Sequence, residues 1–119
     1  MIEAANCIFE ECCLDTFGKE RVYYFLYPKE LAEQYIKVEA YGDRIAGACI
    51  RLTVPVDSKG EDICGQIREV QISPTVKTDD GYMDCSWSCL WGRHEHGDPP
   101  DWVYLLHKKG MEGRRKFTK

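Results

Sequence analysis

The chain has 119 residues, 44% of them hydrophobic and 30% charged, and a formal net charge of −4. That length makes one domain able to bury about two-thirds of its unfolded surface, and the composition excludes a disordered chain. No apolar run approaches the roughly 18 residues of a membrane span, and Met1-Ile2-Glu3-Ala4 lacks the basic start of a signal peptide, so a cytoplasmic protein without membrane contact is expected.

Ile2 to Asp15 can be written as a helix, because Ala5, Ile8, Phe9, Cys12 and Cys13 fall at helical spacing and Gly18 lies beyond as a stop. Arg21 to Tyr27 is rich in β-branched and aromatic residues and reads as a strand. Pro28 then opens a helix expected to run to about Ala40, with Leu31, Tyr35 and Val38 as its stripe and Glu33–Lys37 as a helical ion pair. The alternation of Ile36, Val38 and Ala40 leaves a strand over residues 35–41 as the rival. Ala48 to Val56 alternates apolar with polar as a half-buried strand does, and Asp57 to Asp62 is a polar loop.

Asp80-Gly81 signals a hairpin, since a type I′ turn needs positive φ at both central residues. A turn at those two residues pairs Asp79 with Tyr82, and so sets Val76 opposite Cys85, Ile72 opposite Cys89 and Val70 opposite Trp91. Met83, Cys85, Trp87, Cys89 and Trp91 would then form one buried face, with the thiols packed between indoles as ordinary core. Pro74 has no N–H to give and predicts an edge or a bulge. Arg93 to Asp101 reads as a loop around Gly97-Asp98-Pro99-Pro100, and Trp102 to Leu106, apolar on both faces, as a third strand covered on both sides.

These elements predict an α+β fold: one or two helices on a curved, mostly antiparallel sheet of about five strands, spanning residues 1–107. The spacing of the strands at Gly65–Val70, Tyr82 and Trp102–Leu106 resembles that of SH3-like rolls and partly open barrels. Residues 108–119 lack apolar periodicity and read as a flexible basic tail. Lys108, Lys109, Arg114, Arg115, Lys116 and Lys119 against Glu112 make it +5, which leaves −9 for the body. Seven cysteines, an odd number, cannot all pair within one chain, and reduced thiols are expected.

Chemistry-bearing patterns are few. Cys85, Cys89, His94 and His96 hold zinc-ligand residue types, but a strand separates Cys85 from Cys89 by roughly 13 Å, whereas two thiolates on one zinc lie within about 4 Å. His94-Glu95-His96-Gly97-Asp98 resembles the H-x-H-x-D opening of metallo-β-lactamase-like hydrolases. That resemblance implies a metal-dependent hydrolase with His94, His96 and Asp98 as ligands. Asp101 is the added candidate, but Pro99 stands where the family's motif goes on to another histidine, and the chain is short for that two-layer fold. Cys12-Cys13 lacks the two-residue spacing of redox pairs. No phosphate loop, dinucleotide fingerprint or nucleophile elbow is present, and no cofactor is expected.

The expected function is therefore a small non-enzymatic module that binds another protein. Tyr82, Trp102 and Tyr104 are its candidate anchors, from residue types that dominate interfaces. An acidic body could mimic nucleic acid toward a basic partner, as in an inhibitor or accessory protein encoded by a phage or mobile element. The alternative is a nucleic-acid-associated domain gripping phosphates through Lys108, Lys109, Arg114, Arg115 and Lys116.

Overall fold

The computed structural model describes residues 2–36 and 41–117. It is an α+β fold whose sheet is antiparallel throughout and curled into a half-barrel. The strands are β1 (Ile8–Leu14), β2 (Glu20–Tyr27), β3 (Ile45–Pro55), β4 (Glu69–Thr78), β5 (Gly81–Asp84) and β6 (Ser88–Gly92). They lie in the order β1-β2-β3-β4, and β5 and β6 share the outer side of β4. The helices are α1 (Lys29–Ala32), α2 (Arg93–His96) and α3 (Asp101–Phe117).

Two stretches differ from the sequence reading. Ile8–Leu14 is a strand, preceded by a 3-10 turn at Ala4–Asn6. A bulge between Phe9 and Glu11 adds one residue to β1, so Phe9 and Cys12 both face inward, opposite Phe25 and Tyr23. An inserted residue turns a period of two into a spacing of three, which imitates a helix. Conversely, Trp102–Leu106 is helical and begins α3. Val103, Leu106, His107 and Gly110 are buried at i, i+3, i+4 and i+7. The stretch expected as a basic tail is, up to Phe117, the second half of that helix. Trp102–Leu106 is thus not one of the strands, but the curled, partly open antiparallel barrel expected from the sequence does form. The helix after Pro28 is one turn, Lys29–Ala32; the rival readings of its continuation fall partly on residues 37–40, outside the described residues.

The hairpin also shifts. Thr78 pairs with Gly81 across Asp79-Asp80, and only Gly81 takes positive φ (129°), which spares an aspartate the left-handed region. Val76 therefore faces Met83, not Cys85. The ladder breaks at Cys85–Trp87 and resumes with Ile72 opposite Ser88, Gln71 opposite Cys89 and Val70 opposite Trp91, the last as expected. Pro74 marks the break. Its carbonyl accepts from the Cys85 N–H (3.2 Å), so the side on which its own N–H is missing also faces β5 and β6.

The core lies on one face of the sheet: Tyr23, Phe25 and Tyr27 of β2, Ala48, Ile50, Leu52 and Val54 of β3, and Val70, Ile72 and Trp91. Ile2, Cys7, Ile67, Val103 and Leu106 cover it. α3 lies over β1, β2 and the N-terminal turn, at unusually close range. A Cβ on Gly110 would stand 2.6 Å from Cδ1 of Tyr23, and one on Gly113 2.5 Å from the ring of Phe9. Gly110→Ala should therefore destabilise the fold by about 1–3 kcal/mol through overpacking, although alanine is the better helix former by about 1 kcal/mol. Urea unfolding, with Gly65→Ala at an uncrowded position as the control, measures the difference.

Candidate functional site

The second face of the sheet is open only in part: Cys49, Thr53 and Ser73 on it are buried. Ile8 of β1 pairs with Leu26 of β2, which pairs with Cys49 of β3, which pairs with Ser73 of β4, and Thr75 of β4 pairs with Asp84 of β5. Cross-strand partners share a face, so these residues form one surface. Two adjoining hollows of about 300 and 240 Å³ sit on it, both lined by Glu10, Leu26, Thr75 and Tyr82. β1 and β5 are opposite margins of the sheet, roughly 19 Å apart if it were flat, at about 4.8 Å per strand step. Their meeting around one hollow is the direct consequence of the curl.

This groove is both apolar and acidic. Ile8 is 62% exposed and Tyr82 66%, and Leu26 is exposed beside them. Asp84 accepts a hydrogen bond from the Thr75 hydroxyl (2.9 Å). Among the described residues neither Glu10 nor Asp84 forms a salt bridge. Desolvation pushes the Glu10 carboxyl up, and the charges of Glu11 and Asp84 add to it. The Cys49 thiol on the floor is pushed up to about 12 by burial, then by Asp84 and Glu10, and stays protonated. Farther along the same face Arg51 donates to Oε1 of Gln71 (3.0 Å from Nε) and lies 4.0 Å under the indole of Trp87. Trp87 is held there because its neighbour Ser86 donates its N–H to Ser73 Oγ (3.2 Å).

A second arrangement is buried. The loop after β3 is folded by Asp57, whose Oδ1 accepts from the N–H groups of Lys59 and Glu61 (both 2.9 Å), and is closed by a bridge between Val56 and Asp62. This carries the Asp62 side chain, 2% exposed, beneath α3. There Arg21 Nη1 donates to Oδ1, and the Tyr23 hydroxyl (2.5 Å) and His107 Nε2 (2.8 Å) donate to Oδ2. Burial alone would push the Asp62 carboxyl up; the hydrogen bonds from His107, Tyr23 and Arg21 outweigh it and hold it at about 2. An ionised carboxylate only accepts, so His107 carries its proton on Nε2. Burial, with the hydrogen bond to Asp62, pushes the Tyr23 hydroxyl up. His107 is itself 2% exposed, and the cluster fastens β2, the loop and α3 together.

The residues singled out by sequence are dispersed. Tyr82 lines the groove, whereas Tyr104 is exposed and Trp102 half-buried on α3. Met83, Cys85 and Cys89 are exposed and Trp87 half-buried; of the expected apolar face only Trp91 is core, because a register shift sets Cys89 opposite Gln71, on the other face from Trp91 opposite Val70. All seven thiols are free. His94 and His96 stand exposed on α2, Asp98 is 3.7 Å from Arg93 Nη1, and Asp101 opens α3. Among the described residues no three His, Cys, Asp or Glu side chains are grouped to hold a metal. Of the basic residues on α3, Lys109 donates to the Ala4 carbonyl (2.9 Å) and Arg114 is half-buried, while Lys108, Arg115 and Lys116 are exposed. No described helix is long and apolar enough to cross a membrane.

A hollow of about 1030 Å³ runs along Gly65, Arg68, Glu69, Arg93 and His94. Its guanidinium groups are already engaged: Arg93 with the carbonyls of Gly65 and Ile67, Arg68 with Glu20. In the groove between β1 and β5, by contrast, Glu10 and Asp84 have no salt-bridge cation among the described residues. Comparison of the chain with family models, curated proteins and solved structures finds no match.

Sequence reading missed Glu10, which it placed on a helix, and Asp62, which it left in a solvated loop. No local signal marks Asp62; its partners lie 39 to 45 positions away. Asp62→Asn should cost about 3–5 kcal/mol, since it leaves Arg21 buried without its counter-charge. Because the folded carboxyl titrates at about 2 against an ordinary 3.8, its contribution of about 2 kcal/mol is complete above that ordinary value and fades as pH falls from about 4 to about 2. Denaturation midpoints from pH 2 to 7 should show this loss in the native protein and lack it in Asp62→Asn.

Proposed function

We propose that the protein acts by binding another protein, and that the groove between β1 and β5 receives an apolar segment bearing a lysine or arginine. The observation that carries this reading is the coincidence of three exposed apolar side chains, Ile8, Leu26 and Tyr82, with Glu10 and Asp84 and no cation paired to either among the described residues. An exposed apolar patch rimmed by polar groups is characteristic of an interaction surface. Two like charges around one hollow raise the cost of leaving it empty of a counter-charge, and a partner cation relieves that cost. Its aliphatic stem would lie on Leu26 and the ring of Tyr82. The same carboxylates repel phosphates, so this face disfavours a nucleic acid.

Selection from a random displayed-peptide library tests the reading. Enriched peptides should carry lysine or arginine beside apolar residues. Leu26→Asp and the double variant Glu10→Gln/Asp84→Asn should each weaken them at least roughly tenfold. Peptides without a cation, or peptides indifferent to both variants, would overturn it.

A further inference from the structure

The margins of the groove are themselves unfilled. β1 pairs only with β2 and β5 only with β4 among the described residues, so each presents its outer backbone groups without a strand partner. In a flat sheet such edges face away from each other. Here the curl turns them toward a common gap, above the hollows that Glu10, Leu26 and Tyr82 line.

Building on the binding role proposed above, we propose that the partner segment enters this gap as an extended strand hydrogen-bonded to the free edge of β1, extending the half-barrel with an added stave. Three features of the site fit that mode. The edge is seven residues long, Ile8–Leu14, enough for a register of alternating backbone bonds. Residues of an added strand alternate between the two faces, so every second side chain would point into the groove, over Ile8 and Leu26 and toward the carboxylates of Glu10 and Asp84. The bulge between Phe9 and Glu11 falls in mid-edge; it twists the strand and discourages indiscriminate pairing, which leaves side-chain chemistry to choose the occupant.

The charge on this margin decides what kind of strand it is. A second copy of the chain adding its own β1 would bring Glu10 and Glu11 against their counterparts, and like charges opposed across strands are destabilising. A strand alternating valine with lysine or arginine has the opposite sign and the right period. The occupant is therefore an extended cationic segment of a different protein, recognised by backbone bonds for affinity and by alternate side chains for choice.

The test uses the intact protein and a synthetic peptide of alternating valine and lysine about as long as β1. Two further versions carry N-methyl groups on alternate residues, one on each of the two sets. N-methylation removes the donors that would face β1 in one version and the donors that would face away in the other. The parent peptide should bind, slow the exchange of β1 amides with solvent, and lose at least roughly tenfold in affinity on methylation of one set but not the other. Equal tolerance of both methylated peptides, with Leu26→Asp still abolishing binding, would overturn strand addition and leave the binding role standing. No binding of the parent peptide, while library-selected cationic peptides bind without protecting β1, would overturn it in the same way. If no cationic peptide binds at all, both readings fall together. Protection of β1 accompanied by dimerisation in the absence of peptide would make a second copy the occupant and overturn the assignment to a different protein.

Discussion

One buried carboxylate fixes the relation between the sheet and its long helix. Asp62 draws a guanidinium and a phenol from β2 and an imidazole from α3 onto two oxygens. Placing that charge out of water is costly, and only dense hydrogen bonding makes it tolerable. The geometry is correspondingly demanding. α3 must approach until His107 reaches the carboxylate, and the backbone at Gly110 then rides on the ring of Tyr23. A side chain at that position would lift the helix away from the anion it helps to satisfy.

The open groove follows from this arrangement. A helix drawn down over β1, β2 and the N-terminal turn covers one face of the sheet near one margin. The other face is covered only where Ser86 and Trp87 cross Ser73 and Arg51. Side chains there are not failed core. Leu26 and Tyr82 stand around a hollow that the curl narrows, and the carboxylates of Glu10 and Asp84 share it with a protonated thiol at Cys49.

How legible this was in the sequence depended on whether the determining partner lay nearby. β2 is rich in β-branched and aromatic residues over 21 to 27, β3 alternates over 48 to 56, and β4 shows in the apolar set Val70, Ile72 and Val76. β1 could not, since the bulge after Phe9 erases the period of two. α3 hid for a different reason: its inward face carries His107 and Gly110, neither of which counts as apolar, so the run Trp102–Leu106 looked like a short buried strand. The thiol and indole ribbon from Met83 to Trp91 had the pattern of one buried face, but a register shift before Trp91 divides it between the two faces of the sheet. A regular period states which side chains share a face only while the ladder is unbroken. Glu10 and Asp84 became a pair through the curl, which no local spacing records.

Pro74 has a consequence for how the chain could be divided. By withholding a donor toward the outer side of β4, it lets β5 and β6 dock as two separate pieces, joined by Cys85–Trp87. The cross-chain bonds in that joint come from the Cys85 and Ser86 amides. A break or a spliced insertion there would sacrifice those two and spare both flanking ladders. The linker between β5 and β6 is thus the natural seam for splitting the protein into fragments that could find each other again, with the Asp62 fastening kept intact across one fragment's boundary by β2 and the other's by α3.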